Sequence, residues 1–165
     1  MIKVRDFLAA FTWTLLSAIA SNAWAQPVSG TGRILKAELP SLKVTAVVHV
    51  LNGAPCLFDV SAYGWGVENS CPTEIIRAVI VKQAGLRQIV PLSAFADLAA
   101  PRSVKVLGNG SKNFTLVIVG GEASTSYSAH LKFDGSALVS RKVESGEFPK
   151  ESNEMTTYKF NLQLR

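Results

Sequence analysis

Residues 127–143 read YSAHLKFDGSALVSRKV. Tyr127, Ala129, Leu131 and Phe133 alternate with Ser128, His130 and Lys132. Successive side chains of an extended strand point to opposite faces, so this spacing gathers four apolar groups on one face. Asp134-Gly135 follows, a dipeptide that accepts the positive φ angles of a type I′ turn. Ala137–Val143 then returns as a second extended run. The stretch predicts a β-hairpin and, with it, antiparallel β structure.

The same period extends outward from the hairpin. Leu42, Val44, Ala46, Val48 and Val50 face one way, with Lys43, Thr45, Val47 and His49 opposite. Ile75–Val81 (IIRAVIV) and Phe114–Val119 (FTLVIV) are nearly continuous in apolar and β-branched residues, the pattern of strands covered on both faces. Shorter strands are expected at Arg33–Glu38, Arg87–Val90, Val104–Leu107 and Tyr158–Leu162. Turn residues punctuate the runs at Asn52-Gly53, Gly108-Asn109-Gly110, Gly120-Gly121 and Ser145-Gly146. Ser93–Ala100 is the one short helix the sequence supports, capped by Ser93 and closed by Pro101. The fold class expected is all-β: a single antiparallel β-sandwich of about eight strands, or a barrel-like closure of them, over residues 33–165. Residues 26–32 (QPVSGTG) form a flexible lead-in.

Residues 1–25 carry the three parts of a cleavable secretory signal. Lys3 and Arg5 supply the positive end, Phe7–Ala20 the apolar run, and Ala23-Trp24-Ala25 the small residues of a cleavage site. The apolar run is shorter than the roughly 20 residues a retained helix wants. Cleavage after Ala25 sends the chain to the periplasm or the medium, with no transmembrane segment remaining. Of 17 Lys+Arg and 12 Asp+Glu in the sequence, Lys3, Arg5 and Asp6 lie in this segment, leaving 15 and 11 and a net charge of +4. The basic residues are scattered, which excludes the concentrated patch of a nucleic-acid binder.

Cys56 and Cys71 enclose fourteen residues, LFDVSAYGWGVENS. In an exported chain such a pair is expected to be a structural disulfide, stabilising by about 3 kcal/mol through loop closure. The spacing is not that of a redox-active Cys-x-x-Cys. Inside the loop, Tyr63-Gly64-Trp65-Gly66 sets two aromatic rings among glycines. Aromatic anchors on a constrained loop suit recognition, so Tyr63 and Trp65 are candidate binding residues. The competing expectation is that Trp65 caps one end of the core. Phe148, in the acidic stretch Glu144–Glu154, is the third candidate.

Catalytic patterns are weak. The four acids of 144–154 include paired carboxylates of the kind glycoside hydrolysis uses, but in a polar glycine-containing loop. His49 and His130 are the only histidines, too few for a zinc site without other nitrogen or sulfur ligands. No Gly-x-Ser-x-Gly elbow occurs. The chain therefore reads as an exported, non-catalytic binding module for a protein or cell-envelope component, needing no cofactor. Inhibitor, immunity-type and accessory-subunit roles all fit that reading. A small hydrolase of envelope polymers and a structural subunit pairing through an edge strand near Thr156–Leu162 are the alternatives.

Overall fold

The computed structural model describes residues 31–52, 64–67, 71–150 and 153–159. Among these residues nine strands form two antiparallel sheets packed as a sandwich, with no closed barrel. The first sheet is a meander of β1 (Gly32–Leu39), β2 (Val44–Asn52), β3 (Glu74–Gln83) and β4 (Leu86–Ile89). The second is a meander of β5 (Pro101–Gly108), β6 (Asn113–Gly120), β7 (Tyr127–Asp134), β8 (Ala137–Ser145) and β9 (Asn153–Thr157). Within each sheet every strand thus pairs with its neighbour in sequence, and β1 packs beside β5 where the two sheets meet.

Alternation decides what is buried. Val44, Ala46, Val48 and Val50 of β2 face inward, as do Tyr127, Ala129, Leu131 and Phe133 of β7. Between the layers the rings of Phe114 and Phe133 stack with centroids 4.7 Å apart. Arg33 clips the sheets at one edge: it donates to both carboxylate oxygens of Glu74, at 2.8 and 2.6 Å, and to the Pro101 carbonyl at 2.5 Å. That bidentate pair holds the Glu74 carboxyl below its usual range.

Three local expectations need correction. The β7–β8 hairpin turns on Gly135-Ser136, one residue later than Asp134-Gly135, because Asp134 already pairs with Ala137. Only Gly135 has positive φ (57°), the pattern of a type II′ turn. A bulge between Lys132 and Phe133 absorbs the shift and lets Leu138 and Arg141 both face inward. Second, the helix expected over Ser93–Ala100 is a single 3-10 turn, Leu92–Ala94. Its backbone is diverted to tertiary partners: Ala99 N–H donates to the Trp65 carbonyl and Ala100 N–H to that of Glu74. Third, the last strand is Asn153–Thr157 and lies ahead of Tyr158; residues 160–162 of the expected strand lie outside the described residues.

No helix among the described residues is long and apolar enough to cross a membrane.

Candidate functional site

Chain segments 64–67, 97–100 and 120–127 converge at one end of the sandwich. Trp65 N–H donates to the Asp97 carbonyl at 3.1 Å, and Ala99 N–H returns to the Trp65 carbonyl at 3.0 Å, so residues 65 and 97–99 form a short bridged ladder. Gly66 follows with φ of 91° because nothing larger fits: a Cβ there would overlap the Ala99 carbonyl and lie 2.9 Å from the Tyr127 ring. Tyr127 is 1% exposed and donates its hydroxyl to the same Ala99 carbonyl at 3.0 Å. Burial, then the nearby Asp97 charge, pushes the phenol well above its ordinary range.

Opposite this ladder the chain turns through Gly120-Gly121 into the 3-10 turn Ala123–Thr125. The Thr125 hydroxyl accepts from Glu122 N–H at 3.1 Å and donates to the Glu122 carbonyl at 2.8 Å. Between the two sides lies an open cleft of about 380 Å³, bordered by Val67, Cys71, Thr73, Glu122 and Ser124. It continues past Gly66 and Thr125 into a second hollow of about 200 Å³ beside Trp65, Ser126 and Ser145. Four residues with left-handed backbone stand around it: Gly66, Ala100 (φ 45°), Gly121 (φ 70°) and Ala123 (φ 43°). Alanine at such angles is strained, as it also is at Ala84 in the β3–β4 turn.

Trp65 lies between the core and the cleft. It is half-buried and packs against the core, and it also borders the smaller hollow. Its indole N–H points to Glu154 at 3.4 Å. Glu154 in turn accepts from Arg141, whose guanidinium also reaches Asp97 at 2.5 Å. Arg141 is 2% exposed, on the inward face of β8. A buried guanidinium between two carboxylates therefore joins the wall of the site to β9.

The other candidates are dispersed. Tyr63 and Cys56 lie outside the described residues; Cys71 borders the cleft and is not a free thiol. Phe148 is 53% exposed, so it does not anchor its turn, but its N–H donates to Ser145 Oγ at 3.1 Å and so ties it to the cleft margin. Glu144 and Glu154, expected in one loop, sit on β8 and β9 and act on opposite faces of the sheet. Glu154 meets inward-facing Arg141, whereas Glu144 meets His130 and Lys142 on the outer face. They do not form a carboxylate pair.

His130 collects a hydroxyl and a carboxylate, but both on one nitrogen: Ser128 Oγ at 3.0 Å and Glu144 at 3.5 Å face Nε2. A nucleophile relay needs the hydroxyl and the carboxylate on opposite ring nitrogens. Burial, reinforced by Lys142 and Lys105 and opposed by Glu144, pulls the imidazole below its ordinary value. Among the described residues no group of three or more His, Cys, Asp or Glu side chains is arranged to hold a metal ion.

The sequence singles out the Trp65 half of the site and misses the 120–126 half. Its signal was Gly120-Gly121 followed by the small polar run Ala123-Ser124-Thr125-Ser126. No protein-family model, curated protein or solved structure matches this chain.

Proposed function

We propose that this chain is an exported binding module that recognises a protein or cell-envelope component through the end cleft beside Trp65. The observation that carries the reading is the cleft itself, about 380 Å³ with a 200 Å³ extension, shaped by strained backbone and edged by hydroxyl groups. Concave sites with a few convergent polar groups are where proteins hold ligands. Loops at the end of a sandwich are where such folds carry recognition. Export rests on the signal-like residues 1–25. A Cys56–Cys71 bridge fits that compartment and would hold the loop that carries Trp65.

The test is affinity capture from envelope and secreted fractions, with wild type and Ser124→Arg as parallel baits. Ser124 is exposed and borders both hollows, so arginine obstructs the cleft without entering the core. A component retained by wild type and lost with the folded variant supports the reading. Retention by both baits removes the cleft from it.

A further inference from the structure

Lys82-Gln83-Ala84-Gly85-Leu86-Arg87 is a short turn with a cation on each side. In the fold it joins β3 to β4, and the register sets Lys82 directly opposite Arg87. Both are exposed, and directly opposed residues of antiparallel strands share a face. Like charges so placed destabilise a sheet. Among the described strands this is the one place where two Lys or Arg residues stand opposite each other in register. Neither makes an ion pair among the described residues. Charge on an edge strand deters pairing with another chain, which accounts for Arg87 on β4 but not for Lys82 on β3.

Other turns bring more positive charge to the same end. The Gln83 side-chain amide donates to the Lys112 carbonyl at 3.0 Å, which ties the β5–β6 turn to the β3–β4 turn. Ala84 N–H donates to the Lys43 carbonyl at 3.2 Å, which brings in the β1–β2 turn. Lys43, Lys82, Arg87 and Lys112, scattered along the chain, therefore gather at one end of the sandwich. Of the acids there, Glu38 is neutralised by Lys36 at 2.5 Å. Asp134, opposite Asn113, is the other acid of this end among the described residues. At the cleft end, by contrast, Arg33, Arg102 and Arg141 each have a carboxylate partner.

We infer that the end of the sandwich around the β3–β4 turn docks on an anionic lipid surface. Headgroup phosphates sit between Lys82 and Arg87, and Leu86 and Ile89 enter the interface beside them. A phosphate placed there turns a repulsive cross-strand pair into two charge-assisted contacts. The aliphatic residues favour lipid over a dissolved polyanion. Leu86 and Ile89 flank Arg87 in the chain and are 68% and 65% exposed, and exposed aliphatics among cations are the composition of an interfacial anchor. Nothing lies within 4 Å of a Cβ at Gly85, so the turn is free to approach a surface.

Docking in this way has a consequence for the cleft. Thr73, which borders the cleft, stands just ahead of β3, and the docking turn follows its other end. The ten residues of β3 separate the two by about 30 Å. A docked molecule therefore holds its cleft away from the bilayer. The docking surface shares no residue with the cleft and does not depend on what the cleft binds.

The experiment is vesicle co-sedimentation with equimolar phosphatidylglycerol and phosphatidylcholine, against phosphatidylcholine alone. It uses protein expressed from the whole sequence and purified as the host processes it, with wild type and variants matched in N-terminus by mass spectrometry. Wild type should bind the anionic vesicles and leave the neutral ones. Lys82→Gln/Arg87→Gln should weaken binding by ~30-fold, at about one kcal/mol for each cation near the surface. Its melting temperature should not fall, since the change relieves a repulsion. Arg102→Gln/Lys150→Gln removes the same charge from the cleft end, beyond the reach of screened electrostatics, and should cost under ~3-fold. Leu86→Ser should weaken binding by at least ~5-fold. Wild type that leaves anionic vesicles unbound at ~1 mM lipid overturns the inference, as does an equal loss in the two double variants. Binding to soluble polyphosphate as tight as to vesicles, with Leu86→Ser without effect, also overturns it and makes the occupant a dissolved polyanion.

Discussion

Arg141 Nη2 lies 2.5 Å from Asp97 Oδ2, and the guanidinium that makes this contact is almost wholly inside the sandwich. A charge so placed is worth little net stability, because desolvating it offsets the attraction, but removing Asp97 leaves it only the more exposed Glu154. Asp97→Ala should therefore cost about 2–3 kcal/mol in urea unfolding, whereas Arg141→Met, apolar and of similar length, should cost under ~1 kcal/mol. Asp97 and Glu154, 29% and 46% exposed, can then turn to water. A larger loss from Arg141→Met than from Asp97→Ala would show that the ion pairs themselves stabilise the fold. Glu154→Gln, at the exposed end, should cost less than ~1 kcal/mol.

Tyr127 fills the space that two glycines leave. A Cβ on Gly120 would lie 2.5 Å from the tyrosine hydroxyl and 2.6 Å from Cζ. The ring is only 1% exposed, and Gly66 lies close to the same edge, where a Cβ would come within 2.9 Å of Cε1. Gly120→Ala should destabilise by about 2 kcal/mol or more, on steric grounds alone. Tyr127→Phe keeps the ring and removes the bond to the Ala99 carbonyl, which Gly66 also crowds; about 1–2 kcal/mol should be lost. Thermal unfolding of the two single variants checks both values.

The β3–β4 hairpin turns on Ala84-Gly85, with φ of 47° and 88°. Both angles are positive, as a type I′ turn requires, and alanine is poorly suited to the first of them. Nothing lies within 4 Å of a Cβ at the neighbouring Gly85, so the turn is open to solvent. Ala84→Asn should raise stability by about 0.5–1 kcal/mol. A drop in melting temperature for Ala84→Asn would argue that the turn is held by more than its own conformational preference.

Inward faces were legible wherever apolar residues alternate without interruption. Val44–Val50 and Tyr127–Phe133 are buried in the phase that their spacing dictates. What escaped had a physical cause in each case. β9, Asn153–Thr157, holds one apolar residue, Met155, and owes its existence to pairing with β8. Arg141 occupies an inward position that only its carboxylates make tolerable, and those stand 44 and 13 positions away in the chain. The acidic stretch looked like a loop because charge and glycine dominate it, yet its first and last acids belong to strands. At the site, Trp65 announced itself by its glycine neighbours. The left-handed backbone of Ala100 and Ala123 had no such marker, since alanine normally avoids those angles.

His130 links the outer face of the second sheet to pH. Its Nε2 faces Ser128 and Glu144, with Lys142 and Lys105 contributing opposing positive charge. Burial is the largest influence, and the folded imidazole titrates below its ordinary value of 6.5. The unfolded chain then binds the proton more tightly, so stability rises with pH across this window. The contribution is fully present above about pH 6.5 and is lost as the pH falls through the lower folded value. Glu144, held below its usual range chiefly by the Lys142 hydrogen bond, acts in the same direction at more acid pH, with its contribution lost as the pH falls below about 4.5. Replacing His130 with Gln should flatten the stability–pH curve just below pH 6.5 and leave the Glu144 decline in place. Urea midpoints measured between about pH 4 and 8 would show it; an unchanged slope in His130→Gln would mean that the ring stays hydrated in the folded protein.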